Sequence, residues 1–353
     1  MLIKPRERRD SRQPVPDIIT VNDLVEVYAD GTKAVDGISF NVREGEFFGF
    51  LGPNGAGKST TIKILTTLLR KTSGSASVAG YDIDKHPDAI RKLIGVENQE
   101  TVVEGDLTGR ENLILQGHFQ QLRGEALERR VDELLKLVEL KDVASKRAGH
   151  YSGGMKKRLD LASALVHSPK VIFLDEPTTG LDPQSRAAIW EYLERLNKEE
   201  GITIFLTTQY MEEADKLCRQ LAIIDHGKIV STGSPAQLKS EVGADSIKLV
   251  LENGTEGGKE QLNARAKEII TAINGVINVI TSEEGLTVYA KNAGFIIADI
   301  VRAFDSNKIR LASVSFSSPT LDDIFLHHTG RRIRTEDVSK SNAPPTMFGR
   351  RRR

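Results

Sequence analysis

"FFGFLGPNGAGKST", residues 47 to 60, joins an apolar run to a glycine-rich turn and then to the helical pattern "TIKILTTLL". Gly52, Gly57, Lys58 and Ser59 stand in the G-x4-G-K-[ST] spacing, and the strand before and helix after them are the context that spacing requires. The residue types follow from the chemistry of a triphosphate. Glycines let backbone N–H groups close around phosphate oxygens, Lys58 offsets the β and γ charge, and Ser59 can ligate Mg²⁺. The helix N-terminus adds a favourable dipole.

"VIFLDE", residues 171 to 176, supplies a second half: a buried strand delivers Asp175 and Glu176 to its end. Asp175 can hold Mg²⁺ through water, and Glu176 can orient or deprotonate an attacking water. Adjacent carboxylates alone carry little weight; together with a phosphate loop they make nucleotide hydrolysis the expected reaction.

The rest of the composition narrows the classes. A chain of 353 residues suggests about two to three domains and can bury a large core. The single Cys218 forms no internal disulfide and reads as a small core hydrophobe on a helix. No apolar stretch reaches the roughly 18 residues needed to cross a bilayer, and the basic start "MLIKPRERRDSRQPVPD" lacks the apolar segment of a signal peptide. A soluble, non-exported chain is expected. Lys plus Arg equals Asp plus Glu at 49 each, so no overall field favours a nucleic acid partner.

Strand-length apolar runs ("IITVN", "GEFFGFLG", "KVIFLD", "GITIFLT", "LAIID") alternate with helical patterns, which argues for an α/β sheet. Residues 109 to 140 read as two helices, the second placing Leu127, Val131, Leu134, Leu135 and Val138 on one face. After "STGSPAQLKSEVGAD" the pattern restarts: strand 246–251, helix 260–273, strands 276–281 and 286–290, helix 293–304, strand 310–316. This βαββαβ succession is the ferredoxin-like order. A last helix is expected from "SSPTLDDIF", with Ser318 as its cap and Pro319 at its first position. The ends, residues 1–17 and 331–353, are basic and have no apolar period, and both read as disordered tails. The C-terminal tail's charge would also suit an anionic membrane leaflet.

"YSGGMKKRLDLASALV", residues 151 to 166, places Ser152, Gly153 and Gly154 before an amphipathic helix, another small N-terminus fit for an anion. Followed by "VIFLDEPTTGLD", it resembles the ATP-binding subunits of ABC transporters, in which this signature loop completes the ATP site of the opposite subunit. The resemblance covers about residues 18 to 240. "DLTGRENL", "LDPQSR", "TTQYMEEAD" and the closing "PTLDDIFLHHTG" are similar to the daunorubicin-resistance type of exporter ATPase and extend it to about residue 330.

The resemblance implies an α/β P-loop ABC-type ATPase domain (18–240) with an inserted helical subdomain (about 100–158), and a small α+β ferredoxin-like C-terminal domain (245–330). It implies an ATP- and Mg²⁺-dependent ATPase, dimeric on ATP binding, at the cytoplasmic face of the cell membrane beside a separate ABC-2 type permease that exports drug-like or other hydrophobic compounds. Residue by residue, it makes Gly52, Pro53, Asn54, Gly55, Ala56, Gly57, Lys58, Ser59 and Thr60 the phosphate loop, and Tyr28 the aromatic that stacks on the base. Asp175 with Ser59 and Gln99 would hold the Mg²⁺ and its water, Glu176 would be the base, and Asp182 would cross the dimer interface. Stacking on Tyr28 tolerates either purine, so GTP use stays open.

Most such ATPases carry a histidine where Gln209 stands. An amide can donate to phosphate and accept from water but carries no proton or positive charge, so the acid–base work is expected to rest on Glu176. His150 and His226 read as surface residues. A soluble ABC protein of translation or DNA maintenance would carry two ATPase units or a very long coiled coil between the phosphate loop and the carboxylate strand, whereas Lys58 and Asp175 each occur once here. A regulatory C-terminal module switched by the ATPase is compatible with the ferredoxin-like order.

Overall fold

A computed structural model describes residues 15–97, 102–242, 245–252, 259–282, 285–290, 293–317 and 320–329. The chain runs through β1 (Asp17–Val27), β2 (Lys33–Arg43), β3 (Phe47–Leu51), α1 (Lys58–Leu65), β4 (Ser73–Val78), β5 (Tyr81–Asp82), α2 (Pro87–Arg91) and β6 (Ile94–Glu97). It continues with α3 (Gly109–Phe119), α4 (Gly124–Leu137), α5 (Gly153–Ala164), β7 (Val171–Asp175), α6 (Pro183–Glu200), β8 (Thr203–Thr208), α7 (Met211–Leu217), β9 (Gln220–Asp225), β10 (Lys228–Gly233) and α8 (Pro235–Val242). The last third holds β11 (Asp245–Leu251), α9 (Lys259–Thr271), β12 (Val276–Ser282), β13 (Gly285–Ala290), α10 (Ala293–Ser306), β14 (Leu311–Ser317) and α11 (Leu321–Thr329).

Burial along each strand decides which sheet it joins. Every residue of β3, β7 and β8 is buried, the mark of a sheet covered on both faces, and these strands form the parallel centre of a six-stranded sheet ordered β10-β9-β3-β8-β7-β6. Only the β9–β10 hairpin in it is antiparallel. In β2, buried residues alternate with exposed or half-buried ones over much of the strand, so it has one wet face. It lies in a separate antiparallel sheet ordered β2-β1-β4-β5. "IITVN" therefore does not enter the α/β sheet, as its apolar run suggests, but builds this second layer.

The two sheets clamp a ring cluster. Phe40 of β2 lies 5.5 Å from Phe48 and from Phe50 of β3, and 5.9 Å from Phe205 of β8; Phe173 of β7 lies 5.4 Å from Phe205. The opposite face of the large sheet is covered by helices. α3 and α4 match the two expected helices, and Leu127, Val131, Leu134, Leu135 and Val138 are all buried against α3, α5 and their neighbours.

β11 to β14 form an antiparallel sheet ordered β12-β13-β11-β14, the ferredoxin-like arrangement read from the sequence. α9 and α10 cover one face; Tyr289 and α11 lie on the other, in one apolar cluster with α7 and α8. The start of α11 differs from expectation. Thr320 caps it: Asp323 Oδ2 accepts from Thr320 N at 2.9 Å, and Asp323 N donates to Thr320 Oγ1 at 3.3 Å. Thr320 and Asp323 form this reciprocal box at the helix start, and Ser318 and Pro319, the cap and first position expected from the sequence, lie outside the described residues. The expected tails, residues 1–14 of the first and all of 331–353, also lie outside them.

Candidate nucleotide site

β3 ends where α1 begins, and the turn between them is a cradle. Gly57 adopts φ +105°, and a Cβ there would lie 2.3 Å from the carbonyl oxygen of Ala34, so only glycine fits. Lys58 is buried, and its ammonium donates to Gly52 O at 2.8 Å and Pro53 O at 3.0 Å. It also pairs with Glu176 Oε1 at 3.0 Å. A buried cation is tolerable only when paired and hydrogen-bonded, and Lys58 is both.

This lysine opens onto a cavity of about 650 Å³ lined by Tyr28, Asn54, Gly55, Gly57, Lys58, Ser59, Thr60 and Glu176, together with Thr32, Lys33, Ala34 and His226. Tyr28 sits just beyond β1 at the mouth, its hydroxyl 3.0 Å from Thr60 Oγ1. The structure thus gathers the expected aromatic, phosphate loop and base around one volume.

Asp175 and Glu176 are held from β8. Thr207 Oγ1 donates to Asp175 Oδ1 at 2.5 Å, and Glu176 N donates to Thr207 O at 3.1 Å. Glu176 takes the left-handed conformation (φ +52°), unusual for a residue with a side chain. Its Oε2 accepts from Thr179 Oγ1 at 3.3 Å, so both carboxylate oxygens are engaged. Gln209, at the end of β8, is buried and its Oε1 has no hydrogen-bond partner.

The remaining expected residues stand elsewhere. Ser152 and Gly153 are exposed and line no part of this cavity; Ser152 caps α5, accepting from Met155 N at 3.3 Å. Asp182 is exposed and caps α6, accepting from Ser185 N at 3.0 Å and Ser185 Oγ at 2.6 Å, which holds its carboxyl below the usual range. A Cβ on Gly154 would meet Ser185 Oγ at 2.9 Å, so the two helix N-termini lie side by side. Gln99 lies outside the described residues.

Sequence reading missed Thr207, Thr179 and the place of His226. His226 is exposed, as expected, but its turn is latched to the cradle: Gly227 N donates to Ala56 O at 3.0 Å and Gly227 O accepts from Asp36 N at 2.8 Å. A signal for Thr207 was available in "TIFLTT", where hydroxyls end an otherwise apolar buried strand.

The ABC transporter family model matches residues 35–179. The daunorubicin resistance ATP-binding protein DrrA3 of Streptomyces coeruleorubidus is 39% identical over 321 residues, covering 91% of this chain and 98% of that protein. The chain belongs to the daunorubicin-resistance family of ABC transporter ATP-binding proteins. Solved structures agree on the fold of this ABC ATPase. CbiO1 of Clostridium perfringens, part of the ABC transporter complex cbiONQ, superposes with a TM-score of 0.60 at 31% identity, over 64% of this chain and 91% of that one. A dimeric ATP-binding cassette in a post-hydrolysis state with ADP and Pi gives 0.56 at 28% identity, over 61% and 98%. The chain is accordingly an ABC ATPase that binds and hydrolyses ATP. Among the described residues no helix is long and apolar enough to cross a membrane.

Proposed function

We propose that this ABC ATPase energises an ABC-2 type exporter, docking on a separate permease at the cytoplasmic face of the cell membrane and driving efflux of a drug-like or other hydrophobic compound. The reading rests on the cavity that unites Tyr28, the phosphate loop and Glu176, and on near end-to-end similarity to a protein named for daunorubicin resistance. Residues 18–240 would form the motor and 245–330 a smaller appended domain.

Tyr28 would stack on the base while the loop from Gly52 to Thr60 grips the phosphates. Incoming phosphate would displace Glu176 as partner of the Lys58 ammonium and free that carboxylate for water. Glu176 would then accept the water's proton as it attacks the γ-phosphate and the bond from the γ-phosphorus to the bridging oxygen breaks, releasing ADP, with the Gln209 amide holding the water's other side. Mg²⁺ would neutralise phosphate charge there, held by Ser59, Asp175 and Gln99. The residues fit such an ion: Thr207 holds one oxygen of the Asp175 carboxylate. Among the described residues no cluster of three acidic, His or Cys side chains forms a closed cage, in keeping with Mg²⁺ taking most of its ligands from phosphate and water. Ser152 to Gly154 and Asp182, side by side and away from their own chain's cavity, would close the site of a second copy, giving a two-fold dimer on ATP binding.

The test is reconstitution with the candidate permease. Wild-type chain should co-purify with it and show ATPase activity that a drug-like amphiphile stimulates. Glu176→Gln should keep nucleotide and lose turnover by about two orders of magnitude or more. Unchanged turnover in that variant would remove Glu176 as the base, and failure to co-purify would remove the transport reading.

A further inference from the structure

Glu213, on the first turn of α7, is fully buried and has no part in the chemistry above. Its Oε1 accepts two hydrogen bonds, from Thr178 Oγ1 at 2.9 Å and from Trp190 Nε1 at 2.9 Å, while its buried Oε2 has no hydrogen-bond partner. Burial pushes this carboxyl's pKa up, while the hydrogen bonds from Trp190 and Thr178 pull it down. A buried carboxyl is costly wherever an apolar residue would fill the space, so its partners bear on its role.

Each partner belongs to a different part of the machinery. Glu213 itself stands on α7, which begins two residues after Gln209. Thr178 immediately precedes Thr179, whose hydroxyl donates to Glu176 Oε2 at 3.3 Å. Trp190 lies on α6, the helix that Asp182 caps. One carboxyl, carried by the helix that follows Gln209, therefore reaches both the loop beyond Glu176 and the helix behind Asp182. We propose that Glu213 is a positioning residue for hydrolysis, locking the Gln209 loop to the Thr178–Thr179 segment so that the amide and the base keep one geometry about the attacking water. The inference rests on the roles assigned above to Glu176 and Gln209. Its leverage is geometric, because a displacement of about 1 Å between reacting groups costs on the order of 100-fold in rate.

The experiment uses the full chain with its permease and reads kcat, KM for Mg·ATP, affinity for a fluorescent ATP analogue, and Tm. Thr178→Val removes only the bond toward the Glu176 loop and keeps the side-chain shape. It should lower kcat about tenfold with KM and analogue affinity within about twofold, the pattern of an interaction made only in the transition state. Glu213→Gln, whose amide oxygen can accept the same bonds, should stay within about threefold of wild type, whereas Glu213→Ala should fall at least as far as Thr178→Val. Trp190→Phe removes the bond to α6; it should lower Tm and leave kcat per bound nucleotide unchanged. Wild-type kcat in Thr178→Val overturns the proposal even if Glu213→Ala fails to fold, and so does an equal kcat loss in Trp190→Phe, which would mean packing alone. Glu176→Gln, run in parallel, separates the two levels. If it retains turnover the assigned base is wrong; if it is dead while Thr178→Val is fully active, only the role of Glu213 falls.

Discussion

Asp175 shows how one hydroxyl can set up a site. Thr207, one strand away, donates to Asp175 Oδ1 at 2.5 Å and accepts from Glu176 N through both its carbonyl, at 3.1 Å, and its Oγ1, at 3.2 Å. It thus orients one carboxylate and helps hold the other residue in a backbone conformation that costs about 1–3 kcal/mol without support. Thr207→Val keeps the volume and removes the hydroxyl. Loss of a partner behind a metal-binding carboxylate typically costs about 10- to 100-fold in metal affinity or activity; with Asp175 in the Mg²⁺ role proposed above, a Mg²⁺ titration of the ATPase rate should move to higher concentration with a lower plateau. An unchanged titration would show that Asp175 needs no such support.

Between elements, β6 and α5 are joined by a buried ion pair of Glu97 with Lys157. Burial drives the Glu97 carboxyl up to about 8, against the attraction of Lys157, with the nearby charges of Asp160 and Asp175 adding to the rise. The sign of its effect on stability follows. A carboxyl whose folded-state pKa exceeds the ordinary 4.5 holds its proton more tightly in the native state. The stabilisation is fullest below that ordinary value and is lost as pH rises toward about 8. Urea unfolding of wild type and Glu97→Gln at pH 5.5 and pH 8 isolates this group, since other titrations are shared. The advantage of wild type over the variant should shrink as pH rises; an advantage equal at the two pH values would mean Lys157 keeps Glu97 ionised throughout.

At the scale of the whole molecule, the ferredoxin-like unit is fastened to the ATPase through α11. Leu321, Ile324 and Phe325 are buried in one cluster with residues of α7 and α8. Tyr289 OH donates to Asp323 O at 3.3 Å, fixing the same helix to β13. α11 packs on α7, the helix that also carries Glu213, so the appended unit and the Gln209 loop share a support. Phe325→Ala should destabilise this junction by about 3–5 kcal/mol. The expected outcome is faster proteolytic cleavage between the two units with nucleotide affinity retained. Equal cleavage rates in variant and wild type would show that α11 does not carry the attachment.

Local chemistry made the cradle legible in the chain itself. The spacing of Gly52, Gly57, Lys58 and Ser59 and the paired Asp175 and Glu176 follow from what a phosphate loop and a buried strand end require, whatever surrounds them. The ferredoxin-like order was equally readable, because hydrophobic period identifies each element and the succession limits the topology. Sheet membership was not: "IITVN" is a short apolar run of strand length like those of the central strands, and only long-range pairing sent it to the antiparallel layer. The same holds for Thr207, Thr178 and Glu213, polar residues inside apolar patterns. Their partners lie on other strands and helices, and a hydrogen bond between distant segments exists only once tertiary packing has excluded the water that would otherwise satisfy each group.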